Sequence, residues 1–79
     1  MFLHISSSLE ERNLQIAWIE LNTPAGNFVI QPDHAPMVVM LTPMSQVNYR
    51  LTTGKEEMKK VRRGVAHVTR EGVTLLITE

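Results

Sequence analysis

The side chains of this chain that could do chemistry are few and scattered. Three histidines, His4, His34 and His67, stand far apart. No two have the close spacing from which a metal site is read. His4 and His67 fall at polar positions of strand-like segments. His34, between Asp33 and the stiff Ala35-Pro36, is the histidine best placed to project from a loop. The run Ser6-Ser7-Ser8 lacks the elbow glycines and oxyanion nest that would activate a serine, and reads as a bend after a first strand. Glu10-Glu11 and Glu56-Glu57 are adjacent pairs. Neighbours on a strand point to opposite faces, so neither pair is arranged as an acid–base dyad. The strongest cluster of one sign is "KKVRR", Lys59 to Arg63. Glu56 and Glu57 beside it dilute the field that phosphate binding needs. It reads first as a solvated edge strand, next as a contact for an acidic protein surface. No glycine-rich phosphate loop is present. These residues predict no catalytic group, no metal and no cofactor.

Such groups must be positioned by a small scaffold. With 79 residues the chain makes one domain, 1–79. A domain of this size buries only about 60–65% of the surface its unfolded chain exposes. There is no cysteine, so no disulfide adds stability. Lys and Arg total 8, Asp and Glu total 8, and the formal net charge is zero. That balance argues against a domain built to bind nucleic acid. No apolar run is long enough to span a bilayer, and the start has no secretory pattern. The expectation is a soluble, intracellular domain.

Apolar residues recur with period two. Leu3 and Ile5 oppose His4; Val47, Tyr49 and Leu51 oppose Asn48 and Arg50; Val73, Leu75 and Ile77 oppose Thr74 and Thr78. These read as half-buried strands. In "LQIAWIEL" the apolar parity changes, which predicts a bulge near Trp18. "GKEEMKKVRRG" is read as a charged edge strand between two glycine turns, with Glu57, Lys59 and Val61 on one side and Met58, Lys60 and Arg62 on the other. Gly26, Gly54, Gly64 and Gly72 are read as turn positions with positive φ. "TPMS" is read as a type I turn with Pro43 second. "TREGVT" is read as a hairpin with Gly72 left-handed. Turns about every ten residues predict an all-β sandwich or barrel of short antiparallel strands.

One stretch is more specific. "LNTPAGNFVIQPDHAPMVVML" and the following "TPMSQV" resemble the amino-terminal β-sandwich of the epsilon subunit of F-type ATP synthase, called delta in mitochondria. The positions that carry the resemblance are Gly26, Phe28, Ile30, Pro32, His34, Ala35 and Pro36, then Leu41, Pro43 and Val47. Val61, Gly64, Val68 and "VTLL" at 73–76 follow in order. The likeness runs from Leu21 to Glu79. The chain departs from the pattern at Asp33, where the family keeps glycine before the histidine. Asn27 stands where an acidic residue is common, Pro43-Met44 replaces a Pro-Gly turn, and "SSSLEE" replaces a Thr-Pro-Glu turn. It also stops before the family's usual carboxy-terminal helical hairpin.

The resemblance implies a flattened two-sheet β-sandwich without that hairpin. It implies a non-catalytic central-stalk subunit that couples proton or sodium flow to ATP synthesis. Its partners would be the gamma subunit and the membrane c-ring, with no nucleic acid, no insertion into the membrane and no ATP site without the hairpin. By position, Asn27 and His34 match residues facing the ring, with Gln31 and Asp33 as neighbours in that contact. No residues are assigned to the gamma contact. The implied location is the cytoplasmic face of a bacterial inner membrane. The reading that stands against it is a small ligand-binding or enzymatic β-barrel, which an enclosed apolar pocket with convergent polar groups would favour.

Overall fold

The alternating residues form eight strands and no helix in the computed structural model, which describes residues 1–79. In chain order they are β1 (Phe2–Ser6), β2 (Glu11–Thr23), β3 (Gly26–Ile30), β4 (Met37–Met40), β5 (Ser45–Leu51), β6 (Glu56–Val61), β7 (Arg63–Val68) and β8 (Gly72–Thr78). Hydrogen bonding runs β4-β7-β8-β1-β2-β5-β6, with β3 added beside β2. The sheet curls on itself into a flattened sandwich of 27 × 26 × 17 Å. One half holds β4, β7, β8, β1 and the start of β2; the other holds β3, the end of β2, β5 and β6. With no helix at all, none is long and apolar enough to cross a membrane.

The length of β2 joins the two halves. Glu11 to Gln15 pair with β1, while Ile19 to Thr23 pair with β3. The expected bulge makes the switch: pairing with β5 jumps from Ile16 to Trp18. One extra residue reverses which side chains face inward. The buried positions change accordingly, from Ile16 to Ile19, Leu21 and Thr23. A strand with one fixed parity could not line both halves of the core.

Fifteen buried apolar residues form one core, among them Leu3, Ile5, Ile19, Leu21, Val47, Tyr49, Val73 and Leu75. Truncating such a side chain to alanine costs about 2–5 kcal/mol, a large part of what so small a domain has. Tyr49 reaches the core margin, where its Oη donates to Glu57 Oε1 at 3.1 Å. Burial, and then that hydrogen bond, push its pKa up. Lys59, on the inward side of edge strand β6, donates to both Glu10 and Glu79, and Ser7 Oγ donates to Glu79 Oε2. This cluster ties the β1–β2 turn, β6 and the last residue together. The two bonds raise the Lys59 pKa, and the bonds from Lys59 and Ser7 lower that of Glu79.

Four expectations are corrected. β1 and β8 pair in parallel, from Phe2 opposite Gly72 to Ser6 opposite Leu76, although short antiparallel strands were expected throughout. Turn chemistry fixes the direction of sequence neighbours only, and these strands are separated by the whole chain. Gly64 lies within β7 instead of in a turn, and Gly72 is not left-handed. Both are small because neighbours lie close: a Cβ on Gly72 would run into the Phe2 carbonyl oxygen, and one on Gly64 would meet Ile77 at 2.7 Å. The chain turns at Arg62 instead, where β6 gives way to β7. Finally, Met44 takes φ 57°. A positive φ at the third position belongs to a type II turn, so the "TPMS" turn is not type I.

Candidate functional site

The loop between β3 and β4 carries most of the expected contact residues. Pro32 and Pro36 fix φ and offer no donor. Asp33 takes φ 68°, the left-handed value that glycine adopts without cost. Its N–H donates to the Arg70 carbonyl at 3.2 Å, and Arg70 Nη1 donates to the Asp33 carbonyl at 3.3 Å. The carboxylate lies 3.8 Å from the same guanidinium nitrogen. The loop is therefore fastened to the β7–β8 turn. His34 does not project freely: it is half-buried, and its Nδ1 lies 2.7 Å from the Ala35 carbonyl oxygen.

Asn27 sits at the opposite end of β3. Its Nδ2 donates to Asn22 Oδ1 at 2.9 Å across the β2–β3 pair. Phe28 and Ile30 face inward, so Asn27, Val29 and Gln31 share the outward face. Four residues of antiparallel strand separate Asn27 from Gln31 by about 14 Å. The structure thus brings Gln31, Asp33 and His34 together and leaves Asn27 apart, at the far end of one exposed strip.

The other singled-out groups have local partners. Ser7 Oγ accepts from the N–H groups of Leu9 and Glu10, which makes the bend read from the serine run. Glu10 faces Lys59 while Glu11 lies 3.4 Å from His4 Nε2; Glu56 meets Arg50 while Glu57 meets Arg12. Both acid pairs split to opposite sides, as strand geometry requires. No three His, Asp or Glu side chains come together as a metal site.

Sequence reasoning missed an apolar surface. Met40 pairs with Val65, and Val65 with Leu76, so three apolar side chains cross three adjacent strands in one row. Val38 stands beside that row, next to His67. Val38, Met40 and Leu76 are 66%, 71% and 55% exposed. A single exposed apolar residue is ordinary, but a contiguous set on one sheet face marks a contact surface. The run "MVVML" held the signal: its first four residues form β4, and an all-apolar strand must put some side chains on the outer face.

Two open surface clefts complete the molecule. One, of about 550 Å³, lies between the Pro43-Met44 turn and the end of β6 and is lined by Asn22, Gln46, Lys60 and Arg62. The other, of about 500 Å³, runs along Ser6 to Ser8, Arg63, Met40 and Leu76, at the margin of the apolar face. Neither is the enclosed apolar pocket that a small-molecule site would need. The interior between the sheets is filled by side chains.

Comparison with known proteins fits this architecture. The family described as ATP synthase, Delta/Epsilon chain, beta-sandwich domain matches residues 8–79. The fold matches a chain in the structure of the central stalk and c-ring of Tetrahymena thermophila mitochondrial ATP synthase, with a TM-score of 0.82 at 16% identity, over 100% of this chain and 63% of that one. It also matches a chain in the Euglena gracilis mitochondrial ATP synthase, with a TM-score of 0.78 at 22% identity, over 96% of this chain and 48% of that one. At such identities the likeness speaks for fold. The chain spans from about half to under two thirds of these relatives' length. No curated protein gives a significant sequence match.

Proposed function

The chain belongs to the delta/epsilon family of ATP synthase chains, whose members are non-catalytic subunits, and from that premise we propose that it works as a rotor component of the central stalk. It would seat on a gamma-type subunit, meet the membrane c-ring, and turn with both while proton or sodium flow drives ATP synthesis elsewhere. The complex would hold it peripheral to the membrane. A bacterial inner membrane was the setting expected from sequence; the two solved relatives named above are mitochondrial.

The observation that carries the reading is the contiguous row Met40, Val65, Leu76 with Val38 beside it. A domain with a filled core gains nothing from holding these side chains in water. Covering them with a partner's apolar surface would gain about 25 cal/mol for each Å² removed from water. We assign the gamma contact to this face. We assign the ring contact to the strip of Asn27, Gln31, Asp33 and His34, whose polar groups suit polar loops better than an apolar subunit face. Two fastenings, Asp33 to Arg70 and Asn27 to Asn22, would hold that strip rigid before contact and so lower the ordering cost.

Cysteine cross-linking tests the assignment. With Asn27→Cys in the assembled complex, a disulfide to a cysteine in the ring's polar loop is expected. Failure to cross-link in an intact complex would remove Asn27 from the contact. Pull-down of the chain with cognate gamma and ring subunits tests the broader reading, and retention of neither would overturn it.

A further inference from the structure

The charges of this neutral chain are unevenly satisfied. Arg12, Arg50, Lys55, Lys59 and Arg70 each lie within ion-pair distance of a carboxylate. Lys60, Arg62 and Arg63, all exposed, have no such partner. Lys60 and Arg62 line the cleft beside the Pro43-Met44 turn, whereas Arg63 lines the other cleft. The first cleft has one acid, Glu79, already engaged by Lys59 and Ser7. Its lining thus sets two unpaired cations, Lys60 and Arg62, against one paired carboxylate, while the wall amides of Asn22 and Gln46 are held by bonds to the Gln46 carbonyl, Asn27 and Asn48.

Met44 stands on the same cleft. It is 77% exposed, with a left-handed backbone at φ 57°. A strained turn that holds a large apolar side chain in solvent serves nothing in the domain's own packing, and strain of this kind gathers at contact sites.

We propose that this cleft docks a carboxylate-bearing segment of a partner protein. Lys60 and Arg62 receive the carboxylates, and Met44 gives the apolar contact between them. Arg62 suits the role because its planar fork can hold a carboxylate through two parallel hydrogen bonds. A nucleic acid is disfavoured, because two cations beside Glu79 on a neutral domain cannot track a phosphate backbone. The site is separate from the sheet face assigned to gamma and does not rest on that assignment.

The test is an NMR titration of the whole chain at low salt with the blocked tripeptide Asp-Leu-Glu. Saturable shifts are expected at Asn22, Met44, Gln46, Lys60 and Arg62, and not around the Met40–Leu76 row. The double variant Lys60→Gln, Arg62→Gln should bind about tenfold more weakly, equivalent to about 1.4 kcal/mol. Arg63→Gln should leave affinity unchanged. The neutral tripeptide Asn-Leu-Gln should bind as weakly as the double variant does. All three positions are exposed, so these variants should keep the wild-type melting temperature. Shifts spread over every cation, equal binding of the neutral peptide, or tighter binding of a short single-stranded oligonucleotide would overturn the proposal. Loss of gamma binding would leave it standing, because the peptide assay needs no stalk partner.

Discussion

Asp33 and Arg70 hold one another through both backbone and side chain. The Asp33 N–H meets the Arg70 carbonyl, and the Arg70 guanidinium reaches the Asp33 carbonyl and carboxylate. This fastening joins the β3–β4 loop to the β7–β8 turn, and it forms around a residue at φ 68°. The backbone here keeps the conformation that glycine would take, while the aspartate adds a charge that the arginine meets.

A substitution that cannot accept positive φ should therefore cost stability at this position. Asp33→Val should destabilise by about 1–2 kcal/mol, the cost of a left-handed backbone with a branched Cβ. Asp33→Gly should lie within about 1 kcal/mol of wild type, because backbone relief is offset by a freer unfolded chain. Urea denaturation of the three proteins checks the order. Equal stability of the valine variant would mean that the loop relaxes out of this conformation.

Met44 carries the same strain without a compensating bond from its side chain. Met44→Gly should stabilise the domain by about 0.5–1 kcal/mol, since the exposed side chain buries little to lose. The urea midpoint should rise with an unchanged slope. If Met44 also serves docking, the glycine variant gains stability and loses peptide affinity together. Such a trade is common where strain serves contact.

Gly72 is constrained by space and not by φ. Gly72→Ala would push a methyl group into the Phe2 carbonyl and ring. The parallel β1–β8 pair should shift apart at a cost of about 1–3 kcal/mol. Reduced amide-exchange protection across Phe2 to Ser6 is expected; full protection there would contradict the close approach.

These positions show what could be read from sequence alone. Alternation located most strands, and the parity change around Trp18 located the bulge, because burial on one face leaves a period in the residues themselves. The parallel meeting of β1 and β8 left no such trace, since a long-range pairing has no turn to announce it. Gly64 and Gly72 resembled turn residues because a glycine kept for close packing looks the same in sequence as one kept for positive φ. At the candidate site, Asn27 and His34 stood out within one motif, yet β3 separates them along its length. The apolar row was hidden because Met40, Val65 and Leu76 come from three strands that only the register aligns.

Glu79, Lys59, Glu10 and Ser7 predict a pH dependence with a definite sign. Hydrogen bonds from Lys59 and then Ser7 hold the Glu79 carboxyl below its usual pKa. A depressed folded-state pKa contributes stability above the unfolded carboxylate value, and that stability is lost as pH falls through the folded value. Lys59 is raised, by its bond to Glu10 and then by that to Glu79. Its contribution is present below the unfolded lysine value and is lost as pH rises through the folded one. The cluster is thus intact across neutral pH. Glu79→Gln should lower stability at neutral pH, and its curve should meet the wild-type curve in acid, where Glu79 is protonated. Parallel curves across the acid range would show that Glu79 makes no folded-state ion pair.

Calorimetric titration of the chain with its cognate gamma subunit tests the stalk assignment most directly. The wild-type chain should bind gamma with heat that saturates at one to one. The double variant Met40→Glu, Leu76→Glu should keep its fold, because both side chains already face solvent, and should lose affinity by at least about a hundredfold, or about 2.7 kcal/mol. Wild-type chain that fails to bind gamma, or a double variant that binds as tightly as wild type, would contradict the account.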